Sequence, residues 1–391
     1  MAGIRRIRAV GTSADQSVTT LELFFDLVFV FALTQITELM AHDLSWHGVV
    51  RGGFLLGLLW WSWAAYSWVC NIAKADEGAV RTVLLGAMAA MFVIALAIPE
   101  AFDDRPGGLS GPVVIAIAYF VLRAMHLVLL WLIAQGDQVL RRTVGLYAIG
   151  KAGAAALLLV ASQYHGMTQT LLWAGALAAD YVSTYLVDAR GWRFNSPAHW
   201  AERHGLIIII ALGESIVEIG VGVTDLPISW PILVASLLGL AVCAALWWTY
   251  FGSAVHYGER ALVAEPDRTR PWLARDAYTY LHVPMVAGIV LLALGLKKVL
   301  EYVGEDVGRP LHGIGLFALY SGTALYLAGL VGFKRRTIHR WSLPRLIAVA
   351  VLVVVVPLVP ALPALAQLGI LAGTLTVLVC VERRPELSTP T

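Results

Sequence analysis

The chain has 391 residues, 59% of them hydrophobic and 14% charged, with a mean hydropathy of +0.75 and a net charge of +2. Soluble domains carry about 25% charged residues, so the composition excludes a water-soluble globular protein and names lipid as the solvent. The small net charge, with its basic residues spread over short segments, gives no case for nucleic-acid binding.

A bilayer core of about 30 Å takes roughly 20 helical residues to cross. By that rule the apolar runs predict spans at 21–41, 50–70, 81–99, 112–134, 143–162 and 168–188. Six more are predicted at 203–222, 231–251, 276–296, 312–332, 342–360 and 363–381, with Pro357, Pro360 and Pro363 crowding the last turn. The short alternating segments of a membrane β-barrel do not occur. The expected fold is an all-α integral membrane protein of about 12 transmembrane helices.

Basic residues concentrate in alternate joints, among them Arg5, Arg6 and Arg8; Arg141 and Arg142; Arg190, Arg193 and Arg203; and Lys334, Arg335 and Arg336. The other joints hold Arg51, Arg105, Lys297, Lys298 and Arg309 alone. Under the positive-inside rule this places both termini in the cytoplasm, with 1–20 and 382–391 as polar tails. The first apolar run is of span length and carries acids, so no cleavable signal peptide is read. Cys70, Cys243 and Cys380 lie far apart and lack metal-ligand spacing, and neither a metal nor a cofactor is called for.

Two stretches repeat. Leu27–Leu33 in the first span parallels Leu206–Leu212 in the seventh, and Trp60-Trp61-Ser62-Trp63 in the second parallels Trp247-Trp248-Thr249-Tyr250 in the eighth. Six spans separate each pair, so the expected halves, 21–190 and 200–381, form two parallel six-helix repeats about an axis along the membrane normal.

Ionisable groups at bilayer depth are costly and are functional hypotheses by default. Glu22 and Asp26 stand at i, i+4 on one face of the first span, Asp26 about 6 Å deeper. In the seventh, Glu214 and Glu218 repeat that spacing, with Gly213, Ser215 and Gly220 offering a close approach to the backbone. Arg123 and His126 lie in the fourth span, Lys151 in the fifth and Asp180 in the sixth. These cations are partners for Asp26, Asp180 or Glu214, as helix-to-helix glue or as charges that tune a site. In the ninth span Tyr278, Tyr280 and His282 precede Pro284, which is expected to kink the helix and free a carbonyl. Glu202 and His204 are assigned to the cytoplasmic interface. Trp60, Trp61, Trp63 and Trp68 read as an aromatic belt with packing.

Thr20 through Gln35, reading TLELFFDLVFVFALTQ, resembles the opening signature of the bacterial low temperature requirement protein A family. Glu202-Arg203-His204-Gly205 through Ala211-Leu212-Gly213-Glu214-Ser215-Ile216 is similar to its second, and Tyr280 through Ile289 to its third. The resemblance implies a multi-spanning bacterial membrane protein and supplies no catalytic residue. A weaker likeness, at 21–29, is to the first-helix F-S-D signature of the lysosomal-type potassium channel family, also built from two six-span repeats. Here Phe25 stands where that family has serine, and Gly205 where its second repeat has an acid.

The leading expectation is a transporter or channel of the bacterial inner membrane for a cation, proton or small solute. Glu22, Asp26, Glu214, Glu218, His282, Arg123, Lys151 and Asp180 are its binding residues, supported by Glu202, His204, His126, Tyr278, Tyr280 and Pro284. Asp26 and Glu214 would bind near the junction of the repeats. Alternatives are an integral-membrane enzyme acting on a lipid or isoprenoid and a non-catalytic protein of cold adaptation. Expected partners are membrane lipid and the solute, with a homo-oligomer left open.

Overall fold

The computed structural model describes residues 16–186, 194–224 and 226–383. Arg5, Arg6, Arg8, Arg190, Arg193 and Arg384, and most of both expected tails, lie outside the described residues. Among the described residues the regular structure is helical: α1 Thr20–His42, α2 Trp46–Ile72, α3 Gly78–Ala97 with a tight turn to Glu100, α4 Gly111–Ile133, α5 Gln138–Ala161 and α6 Gly166–Leu186. Then come α7 Pro197–Val221, α8 Trp230–Ala264, α9 Arg270–Glu305, α10 Gly313–Ile338, α11 Leu343–Val355 and α12 Ala364–Arg383.

Nine of these helices are long and apolar enough to cross a membrane: α1, α3, α4, α5, α7, α8, α9, α10 and α12. The 27-residue α2 and 21-residue α6 have the length, but Arg51 and Asn71 in one and Gln169 and Asp180 in the other dilute their apolarity. The expected span at 342–360 is a helix of only 13 residues. Pro357 disfavours helical backbone at the residue before it, and turns follow. Helices α8 and α9 outrun their expected spans by reaching Ala264 and starting at Arg270. Each carries a π-helical segment, Tyr250–Ala254 and Ala274–Tyr280.

The chain forms two compact units. One joins residues up to Leu39 with His47–Arg203 and Pro266–Trp272; the other joins Met40–Trp46, His204–Glu265 and Leu273 onward. In the first unit α1 is built inside out. Phe24 and Leu27 are 53% and 60% exposed, whereas Glu22 and Asp26 are 1% and 0% exposed beside buried Phe25 and Phe29. Lipid solvates the apolar face, and polar groups must find partners inside the protein. Trp60, Trp61 and Trp63 are buried too, which keeps the packing half of their reading and corrects the belt half; Trp68 is half-buried, edge-on to Trp200 at 5.0 Å.

The core of the second unit is the α9–α10 pair, with 72% and 78% of their apolar stretches buried against 39% in α12. Gly288 faces Gly322, Gly295 faces Leu319 and Gly329 faces Met285; the two glycines of each helix are seven residues apart and so on one face. A Cβ at Gly288 would lie 2.6 Å from the Tyr326 amide nitrogen, and one at Gly322 would lie 2.7 Å from the Gly288 carbonyl oxygen. Such small-residue seams let backbones close on each other where lipid gives no hydrophobic drive.

Candidate functional site

The first polar centre lies in the first unit and starts from the cap of α1. Thr19 and Glu22 form a capping box. Glu22 Oε2 accepts from the Thr19 amide and hydroxyl, both at 2.9 Å, and the Glu22 amide donates to Thr19 Oγ1 at 3.3 Å. That leaves Glu22 Oε1 to face His199 Nε2 at 2.8 Å and Arg203 Nε at 3.6 Å. One turn on, Asp26 accepts from Trp63 Nε1 at 2.8 Å through Oδ1 and from the Arg203 guanidinium at 2.7 Å through Oδ2. Arg203 also reaches Ser67 Oγ at 3.4 Å. Glu22, Asp26, His199 and Arg203 are all at most 1% exposed.

The start of α7 fixes this arrangement. Asn71 at the end of α2 donates to the Ser196 carbonyl at 2.6 Å and accepts from the Asn195 amide at 3.0 Å. Ser196 Oγ accepts from the His199 amide at 3.3 Å, an N-cap before a proline at the first helical position. The helix thus begins six residues before the expected span at 203, and Arg203 sits inside it. His199 and Arg203 are functional candidates that the sequence reading missed; it counted Arg203 as a topology charge. The Ser196-Pro197 start signal could have found them. Glu202 is exposed and accepts from the Val18 amide at 3.0 Å.

A second centre in the same unit gathers Arg123, Lys151 and Asp180, all at most 2% exposed. Arg123 donates to both Asp180 oxygens at 2.8 and 2.7 Å and to the Trp61 carbonyl at 3.4 Å. Lys151 and the Tyr119 hydroxyl also donate to the Asp180 carboxylate. Of the three acids open to these cations in the sequence, both cations take Asp180. His126 is buried between Tyr66 and Tyr147, with ring centroids 5.5 and 6.1 Å away.

In the second unit Glu214 and Glu218 are fully buried, and Lys297 Nζ stands 3.4 Å from Glu218. Lys297 had read as an outer-joint charge, but its side chain is 7% exposed. No helix among the described residues makes the close approach expected at Gly213 and Gly220, since a Cβ at either would find nothing within 4 Å. Such an approach occurs at Gly222 instead, where a Cβ would lie 3.1 Å from the Lys297 carbonyl oxygen. Ser215 Oγ donates to the Ile289 carbonyl at 3.4 Å.

His282 lies where the two π-helical segments converge. A π turn adds a residue and loosens the ladder, so nearby carbonyls need other donors. His282 Nδ1 donates to the Ala277 carbonyl at 3.2 Å, and the Tyr250 hydroxyl donates to Nε2 at 2.8 Å. On the α8 segment, Arg345 donates to the Thr249 carbonyl at 2.9 Å and pairs with Glu382 at 2.6 Å. Pro284 sits in the first turn after the α9 segment, with no amide to offer the ladder. Tyr278 stacks on His282 at 5.3 Å with planes 9° apart, and His204 packs edge-on at 5.0 Å. His204 is fully buried, which corrects its interfacial placement; Tyr280 is half-buried. Tyr250, named in the sequence only within a repeated stretch, is a third functional candidate that the sequence reading missed. Among the described residues no three His, Cys, Asp or Glu side chains converge to hold a metal ion.

An uncharacterized protein of Rhizobium meliloti (strain 1021) is 32% identical over 337 residues, covering 80% of this chain and 76% of that protein. No solved structure matches the chain. The pattern of the family described as "Bacterial low temperature requirement A protein (LtrA)" matches residues 17–380, and the chain belongs to that family.

Proposed function

We propose that this multi-pass protein is a transporter or channel of the bacterial inner membrane for a cation, proton or small solute, with proton exchange centred on Glu22 and His199. The carrying observation is the buried contact of His199 Nε2 with Glu22 Oε1 at 2.8 Å, beside Arg203 and Asp26. Glu22, Asp26 and Arg203 together bear one excess negative charge. A proton on His199 cancels it, so the cluster has a neutral and a charged state that differ by one H⁺. Histidine–carboxylate chains of this kind serve as proton relays in membrane carriers. Asp26 has both oxygens engaged by Trp63 and Arg203, so in this reading it positions Arg203 while Glu22 exchanges the proton. Glu214 and Glu218 provide a second acidic pair, with Lys297 as counter-ion to Glu218.

The proposed topology is twelve spans in two parallel six-helix repeats with both termini cytoplasmic, supported by the alternating basic joints. Single cysteines at Gly108 and Asp76, in a chain with Cys70, Cys243 and Cys380 replaced by serine, test it. A membrane-impermeant thiol reagent on intact cells should label Gly108→Cys and spare Asp76→Cys; the reverse pattern overturns the orientation.

Function is tested in sealed liposomes under imposed K⁺ and H⁺ gradients, comparing wild type with Glu22→Gln and His199→Gln variants that still elute as folded protein. Gradient-driven flux in wild type and its loss in both variants is the expected result. Flux unaffected by either change removes this pair from the pathway. The His282–Tyr250 hydrogen bond beside Tyr278 favours a second reading, an integral-membrane enzyme on a lipid or isoprenoid with His282 as base. No flux under either gradient, together with turnover in lipid extract that Tyr250→Phe diminishes, would select it.

A further inference from the structure

Buried charges need compensation, and the Asp180 centre sets two basic side chains against one acid. Its ionisable neighbours are Arg123, Lys151 and Asp180, with tyrosine hydroxyls around them. A guanidinium keeps its charge in any protein environment. Lys151 is ringed by oxygens. Its Nζ faces the Asp180 carboxylate, the Asp180 main-chain carbonyl at 3.0 Å and Thr184 Oγ1 at 2.7 Å. The Thr184 hydroxyl can spend its own hydrogen on the Asp180 carbonyl at 2.9 Å, which makes all three oxygens acceptors toward Nζ. A neutral amine has two hydrogens and an ammonium three. As the ammonium Lys151 fills all three contacts, and in that form two cations face one carboxylate in a region at most 2% exposed.

An uncompensated buried ion is costly, and unfilled hydrogen-bonding positions lie at the same place. Among the described residues neither Arg123 Nε nor His126 Nδ1 has a hydrogen-bond partner, though both residues are 2% exposed. They stand one turn apart on α4. We infer that this centre binds a small monovalent anion of the halide class, held by the Arg123 Nε–H and the charge of Lys151. The anion would neutralise the excess charge, with a water of its shell donating to His126 Nδ1. This site is separate from the Glu22–His199 pair and does not depend on the transport reading.

The test uses the full chain in detergent, melted in sodium chloride and in sodium gluconate of equal ionic strength. Chloride should raise the wild-type melting temperature. At 100 times its dissociation constant, a ligand of the folded state shifts the folded-to-unfolded ratio about 100-fold. Lys151→Met removes the excess charge and should abolish the chloride response; retention of the full response overturns the proposal. Diffraction from wild-type crystals grown in bromide supplies a readout that needs no variant. An anomalous peak beside Arg123 is expected. Equal melting in both salts, or bromide only at exposed surface sites as an adventitious ion only, overturns the proposal.

Discussion

Replacing Arg203 with methionine should unfold the first unit sooner than any single exposed change. The guanidinium is 1% exposed, bonds Asp26 at 2.7 Å and approaches Glu22 to 3.6 Å. Methionine roughly fills the volume but leaves Asp26 buried with the Trp63 indole as its remaining donor. Removing one partner of a buried ion pair costs about 3–5 kcal/mol, because the other charge stays behind. For a unit of this size each kcal/mol moves the melting temperature by about 2–4 °C, so the expected fall is about 6–20 °C. The assay is thermal unfolding of purified protein in detergent, followed by circular dichroism or tryptophan fluorescence. The decisive comparison is the double change Arg203→Met with Asp26→Asn. It removes the stranded charge yet keeps an oxygen for Trp63, so it should melt above Arg203→Met alone, with a coupling of roughly 0.5–3 kcal/mol. Strictly additive losses would show that the pair does not act as a unit and would refute the reasoning.

Two further outcomes follow from the second unit. Gly288→Ala drives a methyl toward the Tyr326 backbone across the α9–α10 seam and should cost about 1–3 kcal/mol by overpacking, read as a lower melting temperature; an unchanged melt means the helices separate freely there. Tyr250→Phe strands His282 Nε2, a cost of about 1–3 kcal/mol for a buried group left without its partner. The matching Tyr326→Phe removes a donor from the Leu246 carbonyl. Because that carbonyl also accepts from Thr249 Oγ1 at 2.7 Å, Tyr326→Phe should cost less in the same melt, and the opposite order would contradict the hydrogen-bond account.

The helical character was legible because apolar runs near 20 residues admit few other structures in lipid. The i, i+4 acids of α1 and α7 were legible for the same reason, since charge inside such runs stands out. What failed was the sorting of cations near helix ends. Arg203 and Lys297 count toward a topology rule by sequence position alone, yet each is buried and pairs with an acid. Position along the chain does not say which way a long side chain points, and the six-residue error at Ser196-Pro197 moves Arg203 from joint to core. Glu22 shows the opposite difficulty. Its T-x-x-E spacing from Thr19 is a capping-box signal in plain sequence, passed over because intramembrane acids invite functional readings first. The π-helical segments had no clear local mark beyond Pro284, because they depend on distant side chains such as Tyr250 and Arg345 meeting the loosened carbonyls.

The Asp26–Arg203 contact also has a history during synthesis. The partners are 177 residues apart, so at about 5–20 residues per second Arg203 leaves the ribosome roughly 9–35 s after Asp26. Over that interval α1 must reach the membrane carrying an acid whose counter-ion does not yet exist. Glu22 has its Thr19 cap within the same turn. Asp26 first gains a donor with Trp63, 37 residues later, or about 2–7 s. The Asp180 centre is born in the reverse order, with Arg123 and Lys151 already made when their acid emerges, the lysine only 29 residues earlier. The first helix is therefore committed to its final place only when the seventh arrives, and Trp63 is its escort in the meantime.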